Sequence, residues 1–282
     1  MEYNGLIDRV NQVIGSYQMQ LTLRQIYYRL VASGDIKNTR SNYTQLSSQL
    51  VKARENGDID GNRIVDRSRR INDISFDSPE HFIDTCLDTL ENNYIRRFWN
   101  SQPVYCELWV EKDALSQVFA DALYQFNTVV APSRGYSSYT YLQSAANRIN
   151  RYCEDSKSAT ILYFGDHDPS GLDMTRDLSE RLNKYGCRVD VMRIALNYRQ
   201  VNEYKLIPNP VKIADKRSQA YIDKYGNQCW ELDAVEPSEL VKLCQQAVED
   251  SILDKPAWLK AVESEKRERE LLINRIKGAN ND

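Results

Sequence analysis

Apolar residues recur at helical spacing in the first part of the chain and in short unbroken runs in the second, with the change of period near residue 104. Leu6, Ile7, Val10, Val13 and Ile14 form one stripe over residues 5–15. Thr22 with Gln25 three residues later resembles a capping box, and Leu23, Ile26, Tyr27 and Leu30 continue as the buried face of a second helix, ended by Gly34-Asp35. A third helix is predicted from about Asn42 to Asn56-Gly57, with Tyr43, Leu46, Leu50 and Ala53 inward and Gln45, Ser48, Gln49, Lys52 and Arg54 outward. Ile59, then Asp60-Gly61-Asn62, then Ile64-Val65 suggests a hairpin. Residues 1–75 therefore read as a helix-turn-helix with a wing, against which a plain helical subdomain is the competing reading.

Residues 76–103 carry Asp, Ser and Pro punctuation and one helix, about Pro79 to Phe98, and are expected to link two domains. From Val104 onward strands alternate with helices: 104–110, a helix from 113, Thr128 to Ala131, a helix near 139–152, 159–164, a helix from 171, 187–195 and Gln228 to Leu232. That alternation over 104–250 predicts an α/β fold with a mostly parallel sheet. The tail, 251–282, is charged and helical from about Ala257 to Lys277 and reads as a packing or dimer helix.

Two of these strands end in acid. Val104–Val110 runs into Glu111-Lys112-Asp113, and Ile161-Leu-Tyr-Phe-Gly runs into Asp166-His-Asp168-Pro-Ser-Gly171. In an extended backbone residues i and i+2 point the same way, so Asp166 and Asp168 can converge on one cation, unless they serve only the turn or cap the following helix. Ligands of open α/β sheets bind outside the carboxyl ends of the strands, where Glu111 and the aspartate pair would meet. Three converging carboxylates repel unless a cation neutralises them, and a hard ion such as Mg²⁺, or Mn²⁺, takes oxygen ligands of this kind together with substrate phosphate.

Composition narrows the classes. At 282 residues, 41% hydrophobic and 27% charged, the chain is expected to be soluble and globular, with two modest domains. The first residues lack an export signal and no stretch approaches a membrane span, so the expected location is the cytoplasm, associated with the nucleoid or encoded by a mobile element. Six scattered cysteines without a CxxC pair read as reduced, mostly buried thiols and argue against a zinc site. Net charge is −3, but ten Arg and Lys stand against five acids between Thr22 and Asn72, leaving −8 elsewhere. A basic module beside an acidic one suits a protein that holds a phosphate backbone with one part and metal with the other, though a merely solvated face has the same composition.

On the second helix Arg24 and Tyr28 share a flank turned away from the apolar stripe, so Tyr27 is expected in the core and Tyr28 presented. An adjacent guanidinium favours phenolate and grips phosphate. Arg24-Gln-Ile-Tyr27-Tyr28, followed by Glu111 after one strand and Gly165-Asp166-His-Asp168-Pro-Ser-Gly171 after another, resembles the A subunit of type IIB DNA topoisomerases and its relatives among the meiotic double-strand-break proteins. The likeness covers most of residues 20–175 and is nearest to the compact, stand-alone A-subunit-like proteins of prokaryotes. It implies a winged-helix domain followed by a Toprim domain, Tyr28 as the residue that attacks DNA with Arg24 beside it, and Glu111, Asp166 and Asp168 as Mg²⁺ ligands. It also implies a two-fold homodimer in which the tyrosine of one protomer meets the metal of the other. Ser133-Arg134-Gly135-Tyr136-Ser137 resembles the family's short Gly-Tyr loop, and Arg134 joins Lys52, Arg54 and Arg63 as an expected contact to double-stranded DNA. The chain has no Walker loop, so ATP-driven strand passage would need a separate ATPase subunit. A hydrolytic Toprim nuclease and a non-cleaving DNA-binding or bridging protein are the alternatives. The sequence assigns no role to His167, Asp113, Asp173, Glu231 and Asp233.

Overall fold

The computed structural model describes residues 3–64, 75–153 and 157–279. It opens with three helices, α1 (Tyr3–Gly15), α2 (Leu23–Ala32) and α3 (Arg40–Asn56). The capping box at Thr22 is present: the Thr22 hydroxyl accepts the Gln25 N–H and the Gln25 side chain accepts the Thr22 N–H, a device worth about 1 kcal/mol. Leu6, Ile7, Val10, Ile26, Leu30, Leu46, Leu50 and Ala53 interlock as one core. Among the described residues the hairpin expected after α3 is absent. Gly61–Arg63 is a 3-10 turn, and Ile64 instead makes a parallel bridge with Leu21, because the Leu21 N–H binds the Arg63 carbonyl at 3.0 Å and draws the segment alongside the entry to α2. Val65 and the basic Arg67, Arg69 and Arg70 lie outside the described residues.

After α4 (Pro79–Asn93) comes the sheet domain. Its strands are β1 (Val104–Val110), β2 (Val129–Pro132), β3 (Ser158–Phe164) and β4 (Val189–Ala195), all parallel in the order β2-β1-β3-β4. The intervening helices are α5 (Asp113–Ala122), α6 (Tyr139–Tyr152) and α7 (Pro169–Lys184). The chain steps one way from β1 to β2 and the other way from β2 through β3 to β4. Right-handed crossovers therefore put α5 on one face and α6 and α7 on the other. Both faces being covered, the strands read as almost continuous apolar runs. The one charge inside β1, Glu107, is fully buried and accepts from Tyr105, Trp109 and the Arg148 fork of α6 at 2.7–2.9 Å. Removing Arg148 would strand that carboxylate at a cost of about 3–5 kcal/mol.

The expected strand at Gln228–Leu232 is not part of this sheet. After α8 (Tyr198–Glu203), β5 (Asn209–Pro210) pairs antiparallel with β6 (Gln228–Cys229) across α9 (Ser218–Tyr225), forming a separate two-stranded arm. Tyr163 is the last β3 residue in simple register before the shift at Phe164, and Gly165 continues by bonding the Ala195 carbonyl at 2.8 Å. The arm meets the loop after β3 through paired bonds between His167 and Trp230, at 2.8 and 3.0 Å. The chain ends with α10 (Pro237–Asp250), which packs on α5, and α11 (Lys255–Ala279), which packs on α4. Trp258 of α11 stacks edgewise on Phe98 and Trp99, and Glu265 accepts the Arg96 N–H at 2.8 Å. Among the described residues no helix is long and apolar enough to cross a membrane.

Candidate functional site

The strand order reverses between β1 and β3, the position at which such sheets open a crevice beyond their carboxyl ends. The Glu111 N–H binds the Phe164 carbonyl at 2.8 Å, and Glu111 Oε2 accepts the Asp166 N–H at 3.0 Å. Gly165 makes the approach possible, since a Cβ there would stand 2.8 Å from Glu111 Oε2 and 2.6 Å from the Tyr163 ring. Burial first, then the charges of Asp166 and Asp168, push the Glu111 carboxyl up to about 7. Burial also raises Asp166, against the pull of Lys112. Acids pressed together in this way are ones whose charge a bound cation would relieve.

Asp168 is placed differently. Its Oδ1 caps α7, accepting from the Gly171 N–H at 2.6 Å and the Ser170 hydroxyl at 2.9 Å. Its charge reaches Glu111, and Oδ1 is committed to the helix. Among the described residues no three acidic, histidine or cysteine side chains gather as a ready metal cage. The acids that could offer oxygens to a hard divalent ion are Glu111 and Asp166, together with the Asp168 oxygen outside the cap.

A second group of acids, contributed by the arm, stands beside that pair. The Lys112 ammonium lies 3.1 Å from Asp166 Oδ1, 2.8 Å from Glu231 Oε2 and 3.0 Å from Asp233 Oδ2. Asp166 Oδ1 also accepts the Leu232 N–H at 2.7 Å, tying the arm's exit to the loop after β3. From the helical module Arg24 reaches the same acids, with Nη2 on Glu231 and Nε 3.3 Å from Asp233. Burial works to raise Glu231, but Lys112, Arg24 and the Tyr28 hydroxyl together hold its carboxyl below the usual range.

Tyr28 is not presented to solvent as the helical wheel implied. It is 4% exposed, as is Tyr27, because later parts of the chain cover the second flank of α2. Asn209 donates to its hydroxyl at 3.2 Å, and Leu206, Ile207 and Ala234 close over it around a cavity of about 180 Å³ that Arg29 and Glu236 also line. Burial, followed by the charge of Glu231, pushes the Tyr28 phenol up to about 12. Tyr27 is a core residue as expected, its hydroxyl donating to Asn38 and to the Thr39 carbonyl.

The residues expected to touch DNA are dispersed. Lys52 lies over the Tyr3 ring, the Arg54 Nε is buried without a hydrogen-bond partner, and Arg63 donates to the carbonyls of Ile14 and Tyr17. Arg63 is thus spent on closing the helical module. Arg134 is 70% exposed, pairs with Asp113 at 2.5 Å, and bonds the Glu111 carbonyl through its N–H, so it stands at the rim of the crevice. Asp173 accepts from Tyr136, Arg176 and Arg217.

Two residues hold the site from behind. The Arg193 guanidinium donates to the carbonyls of Gly165, Asp166, Gly171 and Leu196, so a single side chain fixes the loop after β3. His167 points away from the acids into a box of Tyr198, Tyr221, Tyr225 and Trp230, with Nδ1 2.8 Å from the Tyr221 hydroxyl. Lys112, Asn209, Arg193 and the Glu231/Asp233 pair were not expected at the site. Glu231-x-Asp233 repeats the acid-x-acid spacing of Asp166-x-Asp168, which is a legible signal, whereas nothing local marks Asn209 or Arg193. No protein-family model matches this chain, and no curated protein matches its sequence.

Proposed function

We propose that this chain is a Mg²⁺-dependent DNA-binding and DNA-cleaving transesterase of the kind it resembles, the A subunit of type IIB topoisomerases, with a winged-helix-like module carrying Tyr28 and a Toprim-like sheet carrying the acids. The observation that bears most weight is the meeting of Glu111 and Asp166 at the reversal of the sheet, with Arg24 and Tyr28 brought to the same junction through Glu231. Phosphate chemistry needs an acid pair for a hard cation, a cation-bearing side chain for the phosphate and a nucleophile, and these four residues supply them.

A bound Mg²⁺ would neutralise charge developing on the phosphoryl and leaving oxygens. Arg24 and Lys112 orient the phosphate, and Arg134 at the rim carries the backbone that follows. In the transfer the Tyr28 oxygen bonds to phosphorus and gives up its proton, while the 3′ oxygen leaves and gains one. The family likeness implies two copies acting together on both strands; in this chain Tyr28 borders Glu231 of the same copy.

The burial of Tyr28 and the elevation of its phenol favour one competitor, a hydrolytic nuclease in which water attacks and Tyr28 only packs. Incubating the protein with supercoiled DNA and Mg²⁺ or Mn²⁺, then quenching with detergent, separates the two. Linear DNA covalently bound to protein in the wild type and absent from Tyr28→Phe supports the transesterase. Cut DNA with no adduct, equally in both, identifies the nuclease, and intact DNA in both rejects cleavage altogether.

A further inference from the structure

Arg24 comes from the helical module and Lys112 from the end of β1, and they point at one spot. Both touch Glu231 Oε2 and both touch Asp233 Oδ2, and the Tyr28 hydroxyl, which receives the Asn209 amide, borders the same carboxylate. A guanidinium fork and an ammonium converging on two oxygens is how proteins grip a phosphate, the fork matching two oxygens and the ammonium acting as a point charge. Here the fork is split, with Nη2 on one carboxylate and Nε on the other.

The local balance is uneven. Asp166, Glu231 and Asp233 face two cations, and the Asp233 side chain, 1% exposed, keeps Oδ1 buried with no hydrogen-bond partner. An unsatisfied buried acceptor calls for a donor and not for an anion, so Asp233 anchors Arg24 and Lys112 and makes no contact of its own to a phosphate. The two arm acids differ in freedom. Asp233 sits in a 3-10 turn inside the core, whereas the Glu231 side chain is 25% exposed and can swing outward.

We propose that Arg24 and Lys112 form an oxyanion site for a phosphate group, and that Glu231 is its resident intramolecular occupant, displaced when a phosphate arrives. The exchange is charge for charge, one carboxylate for one phosphodiester, and the incoming group offers the fork two oxygens where Glu231 offers one. It brings the phosphate to the Tyr28 hydroxyl in place of the carboxylate that borders it. The naming of the ligand as a nucleic-acid backbone rests on the function proposed above; the oxyanion site itself does not.

The test compares wild type, Glu231→Gln, Arg24→Gln/Glu231→Gln and, as a control that removes one partly exposed acid elsewhere, Glu239→Gln. Binding of a short fluorescent duplex is read by anisotropy at fixed salt. Glu231→Gln should bind at least about tenfold tighter than wild type, since its carboxylate no longer competes for the two cations. The double variant should lose that gain, and Glu239→Gln should stay within about twofold of wild type. Unchanged or weaker binding by Glu231→Gln, an equal gain in Glu239→Gln, or a gain that survives loss of Arg24 overturns the proposal. If Glu231→Gln does not fold, Glu231→Asp, which keeps the charge but shortens the reach, should show a smaller gain in the same direction, and no gain counts against the site. Where no variant binds duplex, the nucleic-acid reading falls and inorganic phosphate decides the site. Phosphate, matched against chloride at equal ionic strength, should raise the melting temperature of Glu231→Gln more than that of wild type, and equal responses overturn the oxyanion site.

Discussion

Glu111 and Asp166, which end neighbouring strands, are joined by a bond in which the carboxylate of one accepts the backbone N–H of the other at 3.0 Å. The contact fixes the loop after β3 to the end of β1 and leaves two acidic side chains in one buried place. It makes that junction a compromise between geometry and charge.

The compromise has a pH signature. Glu111 is raised to about 7, so the folded protein keeps a proton there that the unfolded chain releases from about 4.5 upward. Stability should fall as pH rises between those values, because the unfolded state then binds fewer protons than the folded one. Above pH 7 the wild type should melt lower than Glu111→Gln, and Mg²⁺ should raise the melting temperature of the wild type and leave that of Glu111→Gln unmoved. Equal Mg²⁺ responses in the two proteins would remove the acid pair from consideration as a cation site.

His167 carries the opposite sign. Burial first, then the nearby Arg193, lowers its imidazole from 6.5 to about 4, so the folded ring stays neutral where the unfolded one is charged. No stability is lost above pH 6.5, and it drains away as pH falls from there to about 4. The chain has two histidines, so the ring-proton resonances can be followed individually by NMR. A midpoint for His167 near 6.5 would show that the aromatic box does not enclose it.

Gly171 and Gly15 form a matched pair of substitutions. A Cβ at Gly171 would collide with the Asp166 carbonyl, whereas one at Gly15 meets nothing within 4 Å. Gly171→Ala should cost about 1–3 kcal/mol and disturb the loop, and Gly15→Ala should be neutral or stabilising by up to about 1 kcal/mol. Urea denaturation measures both, and comparable midpoints would contradict the tight loop described here.

Arg193 is the test of how the loop is held. Its planar fork serves four carbonyls, and Arg193→Lys keeps the charge but cannot match that geometry. A loss of about 2–4 kcal/mol is expected from the unpaired buried carbonyls, accompanied by weaker Mg²⁺ stabilisation because Asp166 is no longer fixed. Full stability in Arg193→Lys would assign the loop's order to other contacts.

Local pattern was enough for the helices and strands whose partners lie close in sequence. The stripe of α1, the capping box of α2, the span of α6 and the strands that end at Glu111 and Gly165 were all legible, since period and punctuation are local properties. The hairpin after α3 was misread because Ile64 found a partner at Leu21, and Gln228–Leu232 was misread because its partner is Asn209–Pro210 rather than the main sheet. Strand character says which residues can pair and nothing about with whom.

The candidate site divides along the same line. Its first acids were visible as carboxylates at strand ends, and α/β alternation alone argued that Glu111 and Asp166 would meet, since sequential crossovers leave few sheet orders open. What covers Tyr28, what Arg24 binds and why Lys112 faces Glu231 depended on contacts between residues some 120 to 207 positions apart, which no periodicity encodes. The order of residues along the chain determined an α/β sheet with acids at one edge beside a helical module. Only the tertiary structure decided that the module docks over that edge, because docking is set by complementary surfaces and charges that exist once both parts have folded.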